Sequence, residues 1–114
     1  MKRLNLDSYS ISVKDQQGLP RFLDYEVRST IINILTHPQF GLNGPDMMEV
    51  APLVKKIDKA FEAVILTNEE YQEIVAALKR FKGFIKNDIP MLERIYNCPD
   101  NPNDVSNVVE LSDN

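Results

Sequence analysis

The spacing of the hydrophobic residues changes along the chain, and this change restricts the fold more than any other feature. Near the N-terminus, Tyr9, Ile11 and Val13 alternate with polar residues, which places them on one face of a β-strand. Later segments repeat their hydrophobic residues every three or four positions, as amphipathic helices do. A chain of 114 residues is the size of one domain. The sequence therefore predicts a single α+β domain.

The strand segments predict a β-hairpin over residues 8–23. A turn at Gly18 separates the alternating strand from a second extended segment that ends at Leu23. Pro20 places this second segment at a strand start or a sheet edge, because proline has no N–H to donate. The apolar run Ala63–Leu66 is a candidate third strand that would pair with the hairpin.

About four helices are predicted to pack with the hairpin. The first follows the hairpin and ends near Thr36, because the next residue precedes a proline. Thr67–Glu70 is a capping box in which the two end residues satisfy each other's backbone donors, and it predicts the start of another helix. The last helix begins near Asp88, with Pro90 in its first turn.

The start of the second helix has two interpretations. Pro45 and Asp46 are typical of a first helical turn. A helix that began there would contain Pro52, which costs about 3 kcal/mol in a helix interior. We favour a short turn over 45–50 followed by a helix from Ala51, and a single kinked helix is the alternative.

The charge is unevenly distributed between a neutral body and an acidic end. The chain carries 13 basic and 17 acidic residues, and four of the acids but no base lie from Cys98 onward. Polar residues and prolines dominate that end, so it buries too little surface to offset its ordering entropy. We predict a domain over 1–97 and a flexible acidic tail over 98–114.

The sequence shows no pattern of catalytic or metal-binding residues. One Cys and one His exclude a disulfide framework, a Cys-rich zinc site and a His-pair metal site. His37 precedes a proline at a helix end, and Cys98 lies beside acids that would weaken it as a nucleophile. We predict no enzymatic activity, no catalytic residues, no cofactor and no metal.

Large hydrophobic residues are numerous enough to leave some of them at the surface. The adjacent Met47 and Met48 suit an adaptable contact surface. We predict that they form a protein interface with Tyr9 and Phe22 of the hairpin, for a protein partner or a second copy of the chain. The alternative, in which all these residues belong to the core, fits the sequence equally well.

A basic segment supports a second functional hypothesis, a small nucleic-acid-binding regulator. Four bases fall within eight residues, with two phenylalanines between them and no acid: Lys79, Arg80, Lys82 and Lys86. Bases and aromatic rings together can grip phosphates and stack on nucleobases. A structural role explains the segment better, because cations stabilise a helix C-terminus and Phe81 continues a buried helix face. The neutral body also gives little long-range attraction for nucleic acid.

Targeting signals are also missing from the sequence. No apolar run approaches the ~18 residues of a membrane span, and the N-terminus lacks the apolar stretch of a signal peptide. We therefore expect no membrane association and a cytoplasmic location, which suits one unpaired thiol.

Several stretches carry a resemblance to a known class of protein. They are the opening Leu4–Val13, the Gly41–Pro45 loop, the Val64–Tyr71 segment that opens a helix, and Phe81–Ile95. Together they make most of residues 4–97 resemble small accessory proteins of tailed bacteriophages. Such proteins usually act by binding other proteins, so the resemblance implies a non-enzymatic assembly factor or virion component. It assigns no role to any single residue.

Overall fold

A computed structural model describes residues 1–101 and shows an α+β fold, as predicted. In chain order the elements are β1 (Lys2–Asn5), β2 (Tyr9–Lys14), β3 (Pro20–Tyr25), α1 (Val27–Leu35), α2 (Gly44–Lys59), β4 (Ala63–Leu66), α3 (Asn68–Arg80) and α4 (Ile89–Tyr96). Short 3₁₀ turns lie at Pro38–Phe40 and Lys86–Asp88.

The predicted hairpin is formed by β2 and β3, and it extends two residues further than expected. Tyr9 lies opposite Tyr25 at its base, and Lys14 lies opposite Pro20 near its tip. The Asp15 side chain accepts hydrogen bonds from two backbone N–H groups of the turn, each at 2.9 Å. Gly18 adopts a φ of 79° in this turn, a conformation that glycine takes without steric cost.

A second sheet was not predicted, and it corrects the expected pairing of Ala63–Leu66. This segment is a strand, β4, but it pairs antiparallel with β1 and not with the hairpin. Leu4 lies opposite Val64, and both side chains are buried. The spacing of Leu4 and Leu6, both buried, was the available signal for β1, but Leu6 lies one residue beyond the strand, and a strand of only four residues is easily overlooked.

Helix α2 is continuous from Gly44 to Lys59, so the predicted start at Ala51 is wrong and the single helix is right. Its N-terminus is closed by a reciprocal cap: the Asp46 N–H donates to Asn43 Oδ1 at 2.9 Å, and the Asn43 N–H donates to the Asp46 carboxylate. This cap and the burial of one helix face offset the cost of the internal Pro52. The buried residues of that face are Val50, Leu53 and Ile57.

The capping box at the start of α3 is confirmed. The Glu70 N–H donates to Thr67 Oγ1 at 3.1 Å, and the Thr67 N–H donates to Glu70 Oε1 at 2.8 Å. Lys56 of α2 donates to the same carboxylate oxygen at 2.7 Å. Burial acts to raise the pKa of Glu70, but these hydrogen bonds outweigh it and hold the pKa below its usual value.

One hydrophobic core lies between the helices and the β1–β4 sheet. Both α2 and α3 pack on α1, while α4 packs on β1. The side chains with almost no exposure come from every layer of the fold: Leu4, Val27, Ile31, Ile57, Leu66, Ile74, Met91 and Ile95. Among residues 1–101, no helix has both the length and the apolar character of a membrane span.

The first residues of the predicted tail run beside β1. The Arg3 N–H donates to the Pro99 carbonyl at 3.0 Å, and the Asn101 N–H donates to the Met1 carbonyl at the same distance. Asp100 forms an ion pair with Lys2 at 3.3 Å. The rest of the predicted tail, 102–114, lies outside the described residues.

Candidate functional site

The hairpin is fastened to the body by the tyrosine pair at its base. The rings of Tyr9 and Tyr25 stack with their centroids 4.5 Å apart. Tyr9 donates its hydroxyl to the Asn87 carbonyl at 2.5 Å, and Tyr25 donates to the Asp88 carboxylate. Tyr9, a predicted interface residue, is therefore half-buried and positions the hairpin. Burial raises the pKa of both tyrosines, so both hydroxyls stay protonated donors at neutral pH.

Beyond this pair, the hairpin exposes large hydrophobic side chains. Phe22 is 73% exposed, Leu19 60% and Leu23 48%. Phe22 and Leu23 are neighbours on β3 and therefore point to opposite faces of the hairpin. Each face of the hairpin thus presents a large apolar side chain that a binding partner could cover.

Among residues 1–101, no strand pairs with either outer edge of the hairpin. Its sheet contains only β2 and β3, and within residues 1–101 neither strand makes a backbone hydrogen bond to any other element. Open strand edges present N–H and C=O groups that can pair with a further strand. Pro20 is the first residue of β3, and the first position of a strand is one at which a sheet tolerates proline.

The predicted methionine patch lies at the surface of α2. Met48 is 71% exposed and Met47 is 38% exposed. The hairpin carrying Phe22 is fastened elsewhere, next to the start of α4. The structure therefore places the predicted interface residues on two separate elements, and only three of the four are well exposed.

The basic segment presents its charges outward and turns its aromatic rings inward. Phe81 and Phe84 are half-buried, with ring centroids 4.7 Å apart, and His37 meets Phe81 edge-on at 5.1 Å. These rings are therefore packed on the body and are not free to stack on bases. The four cations of the segment are exposed: Lys79, Arg80, Lys82 and Lys86.

The two side chains best suited to nucleophilic or acid–base chemistry have structural contacts. His37 accepts a hydrogen bond from the Gln39 N–H at 3.2 Å through Nδ1. Cys98 is buried with Sγ 3.3 Å from the Arg3 carbonyl, and burial raises the pKa of its thiol. In the described part of the chain, neither side chain is hydrogen-bonded to a carboxylate, and no cluster of His, Cys, Asp and Glu could hold a metal ion.

A groove lies between α2 and α3, and it was not predicted from the sequence. It has a volume of about 330 Å³ and an apolar floor that includes Leu35, Leu42 and Val50. Three carboxylates line it, Asp46 and Glu49 from α2 and Glu73 from α3, and Arg80 lies at one end. The signal in the sequence was the pair of small residues Ala76 and Ala77 on the same helical face as Glu73, because they leave space where larger residues would fill it.

The comparison with known proteins gives no relative. No protein-family model, curated protein sequence or solved structure matches this chain. The functional argument therefore depends on the surface geometry described above.

Proposed function

We propose that this protein is a non-enzymatic interaction module that docks on a protein partner, or on a second copy of itself, through its hairpin. The observation that carries the proposal is the outer part of the hairpin, which has apolar side chains on both faces and two open edges. Met47 and Met48 on α2 form a second contact surface.

The energetics favour docking at this place. Full burial of a phenylalanine side chain contributes about 1.5–3 kcal/mol, and Phe22 keeps 73% of its surface available. Its burial in an interface would therefore contribute roughly 1–2 kcal/mol, or about 5- to 30-fold in affinity. A two-stranded hairpin also has little stability of its own, so a partner strand or surface would strengthen it.

The resemblance to accessory proteins of tailed bacteriophages is what supports a more specific role. It suggests a small assembly factor or virion component, found in the host cytoplasm or in the particle. Proteins of that kind act by docking on other proteins, which agrees with a hairpin that presents hydrophobic side chains.

The decisive experiment compares two exposed phenylalanines. Phe22 lies on the hairpin, whereas Phe61 is 88% exposed but lies between α2 and β4. Light scattering over a concentration series and capture of partners from the native host should be run on the wild type, Phe22→Ser and Phe61→Ser. We expect association to weaken only in Phe22→Ser. A monomer with no captured partner, or equal behaviour of both variants, would contradict the proposal.

A nucleic-acid-binding regulator is the second candidate, supported by the exposed bases after α3. Lys79, Lys82 and Lys86 make no ion pair within residues 1–101, so their charges are available to phosphates. Binding of labelled oligonucleotides at low salt should then weaken in Lys82→Gln/Lys86→Gln but not in Lys14→Gln. No binding by the wild-type protein would eliminate this candidate.

A further inference from the structure

The groove between α2 and α3 has a defined structural origin. Both helices pack on α1, and they are joined at one end by the Lys56–Glu70 ion pair. Further along, α3 presents Ala76 and Ala77, which are too small to reach α2. Leu42 and the end of α1 close the bottom of the remaining space. The result is a groove with an apolar floor and polar walls.

The walls of the groove carry an unbalanced negative charge. Glu49 and Glu73 both line it, and neither makes an ion pair or a hydrogen bond through its side chain in the described part of the chain. Burial raises the pKa of Glu73, and the charges of Glu70 and Glu49 raise it further. Glu49 and Glu73 both remain exposed to water, and a cation that approached them would lower the pKa of Glu73 again.

The cations and the third acid near the groove already have partners other than Glu49 and Glu73. Arg80 and Phe40 line one end of the groove, where the guanidinium lies 4.5 Å above the ring of Phe40. Asp46 also lines the groove, and its carboxylate accepts the Asn43 N–H in the helix cap. Lys56 is held by Glu70 at the far end. Within residues 1–101, Glu49 and Glu73 therefore have no cationic side chain paired with them, and a cation from outside would be attracted to them.

We propose that this groove binds a lysine or arginine side chain from a basic segment of a partner protein. Such side chains combine a long apolar stem with a charged end, and this matches a floor of Leu35, Leu42 and Val50 beneath two carboxylates. The volume of about 330 Å³ is at the lower end of the range for ligand pockets, so the groove is large enough for one such side chain. The inference rests on the proposed protein-binding function but uses a surface separate from the hairpin.

The test is a titration of the ¹⁵N-labelled protein with two capped tripeptides, acetyl-Leu-Lys-Leu-amide and its norleucine analogue, followed by amide chemical shifts. We expect the lysine peptide to shift the amides around Val50 and Ala76, and the uncharged analogue to leave them unchanged. The double variant Glu49→Gln/Glu73→Gln should bind the lysine peptide at least about tenfold more weakly.

Two further samples separate this site from general electrostatics and from loss of folding. Glu69→Gln/Glu93→Gln removes the same charge from exposed positions outside the groove, and its binding should stay within about twofold of wild type. Ala76→Leu keeps every charge and should block binding by filling the groove. A folded spectrum of each variant is the control for structure.

Several results would overturn the inference. They are equal losses in the two double variants, equal binding of the norleucine peptide, unchanged binding in Ala76→Leu, and no shifts at the groove at millimolar peptide. Butylamine that bound as tightly as the lysine peptide would also overturn it, since the occupant would then be a small amine. Phe22→Ser should bind the peptide normally, so failure of hairpin docking and failure of the groove are distinguishable.

Discussion

Arg28 of α1 holds the C-terminal end of α2, and its removal should destabilise the whole protein. Its guanidinium donates to the carbonyl oxygens of Ile57 at 2.8 Å, Asp58 at 3.0 Å and Phe61 at 2.6 Å, and also to that of Ala60. The last carbonyls of a helix have no partner within the helix, and a cation beside them is stabilised by the helix dipole.

The size of the effect follows from these contacts. Hydrogen bonds that involve a charged group contribute about 1.5–3 kcal/mol. The site is only partly buried, so water will replace some of the lost donors. We therefore expect Arg28→Met to lower the free energy of unfolding by about 2–3 kcal/mol, which corresponds to a decrease in Tm of roughly 10–20 °C for a domain of this size.

Urea unfolding followed by circular dichroism measures this change, and Arg28→Lys is the matched variant. Lysine keeps the charge but has no planar fork of donors, so about half of the loss should return. Amide exchange should accelerate at Ala60 and Phe61 in both variants. A loss of less than about 0.5 kcal/mol in Arg28→Met, the level of an ordinary surface substitution, would show that the reasoning is wrong.

Three further predictions concern the cap, the hairpin base and the thiol. Thr67→Ala should cost about 1 kcal/mol of stability in urea unfolding, because the Glu70 N–H loses its acceptor. Burial and the hydrogen bond to Asp88 raise the pKa of Tyr25 above 10.0, so its contribution to stability is complete below pH 10 and should be lost as the pH rises further. Urea unfolding at a series of pH values checks this. The free energy of unfolding should fall less above pH 10 in Tyr25→Phe than in the wild type. Cys98 should react with iodoacetamide at neutral pH only when the protein unfolds, because the thiol is buried and its pKa is raised.

Local sequence signals predicted the elements that local interactions determine. The alternation around Ile11 and the capping box at Thr67 gave the hairpin and α3, since both depend on residues within a few positions of each other. The favoured start at Ala51 failed because the penalty for Pro52 was weighed alone. The cap at Asn43 and the buried helix face outweighed it.

Local sequence signals could not predict the features that join segments far apart in the chain. β4 pairs with β1 across about sixty residues of chain, and Arg28 contacts carbonyls 29 to 33 positions away. The groove depends on how α2 and α3 diverge from α1, which small residues such as Ala76 permit but do not specify. Of the predicted interface, exposure could be anticipated for Phe22 and Met48, whereas the role of Tyr9 at the hairpin base depended on Asn87.

The hydrogen bond between Asn101 and Met1 brings the two ends of the described chain together. The path from residue 1 to residue 101 is therefore almost a ring, and a short linker would complete it. Reopening that ring at Gly18 would produce a circular permutant whose breaks lie only in the turn of the hairpin, away from the buried side chains. Such a permuted chain would retain α1–α4 and the β1–β4 sheet. Its β2 and β3 strands would no longer be joined by a turn and would be held together only by their hydrogen bonds.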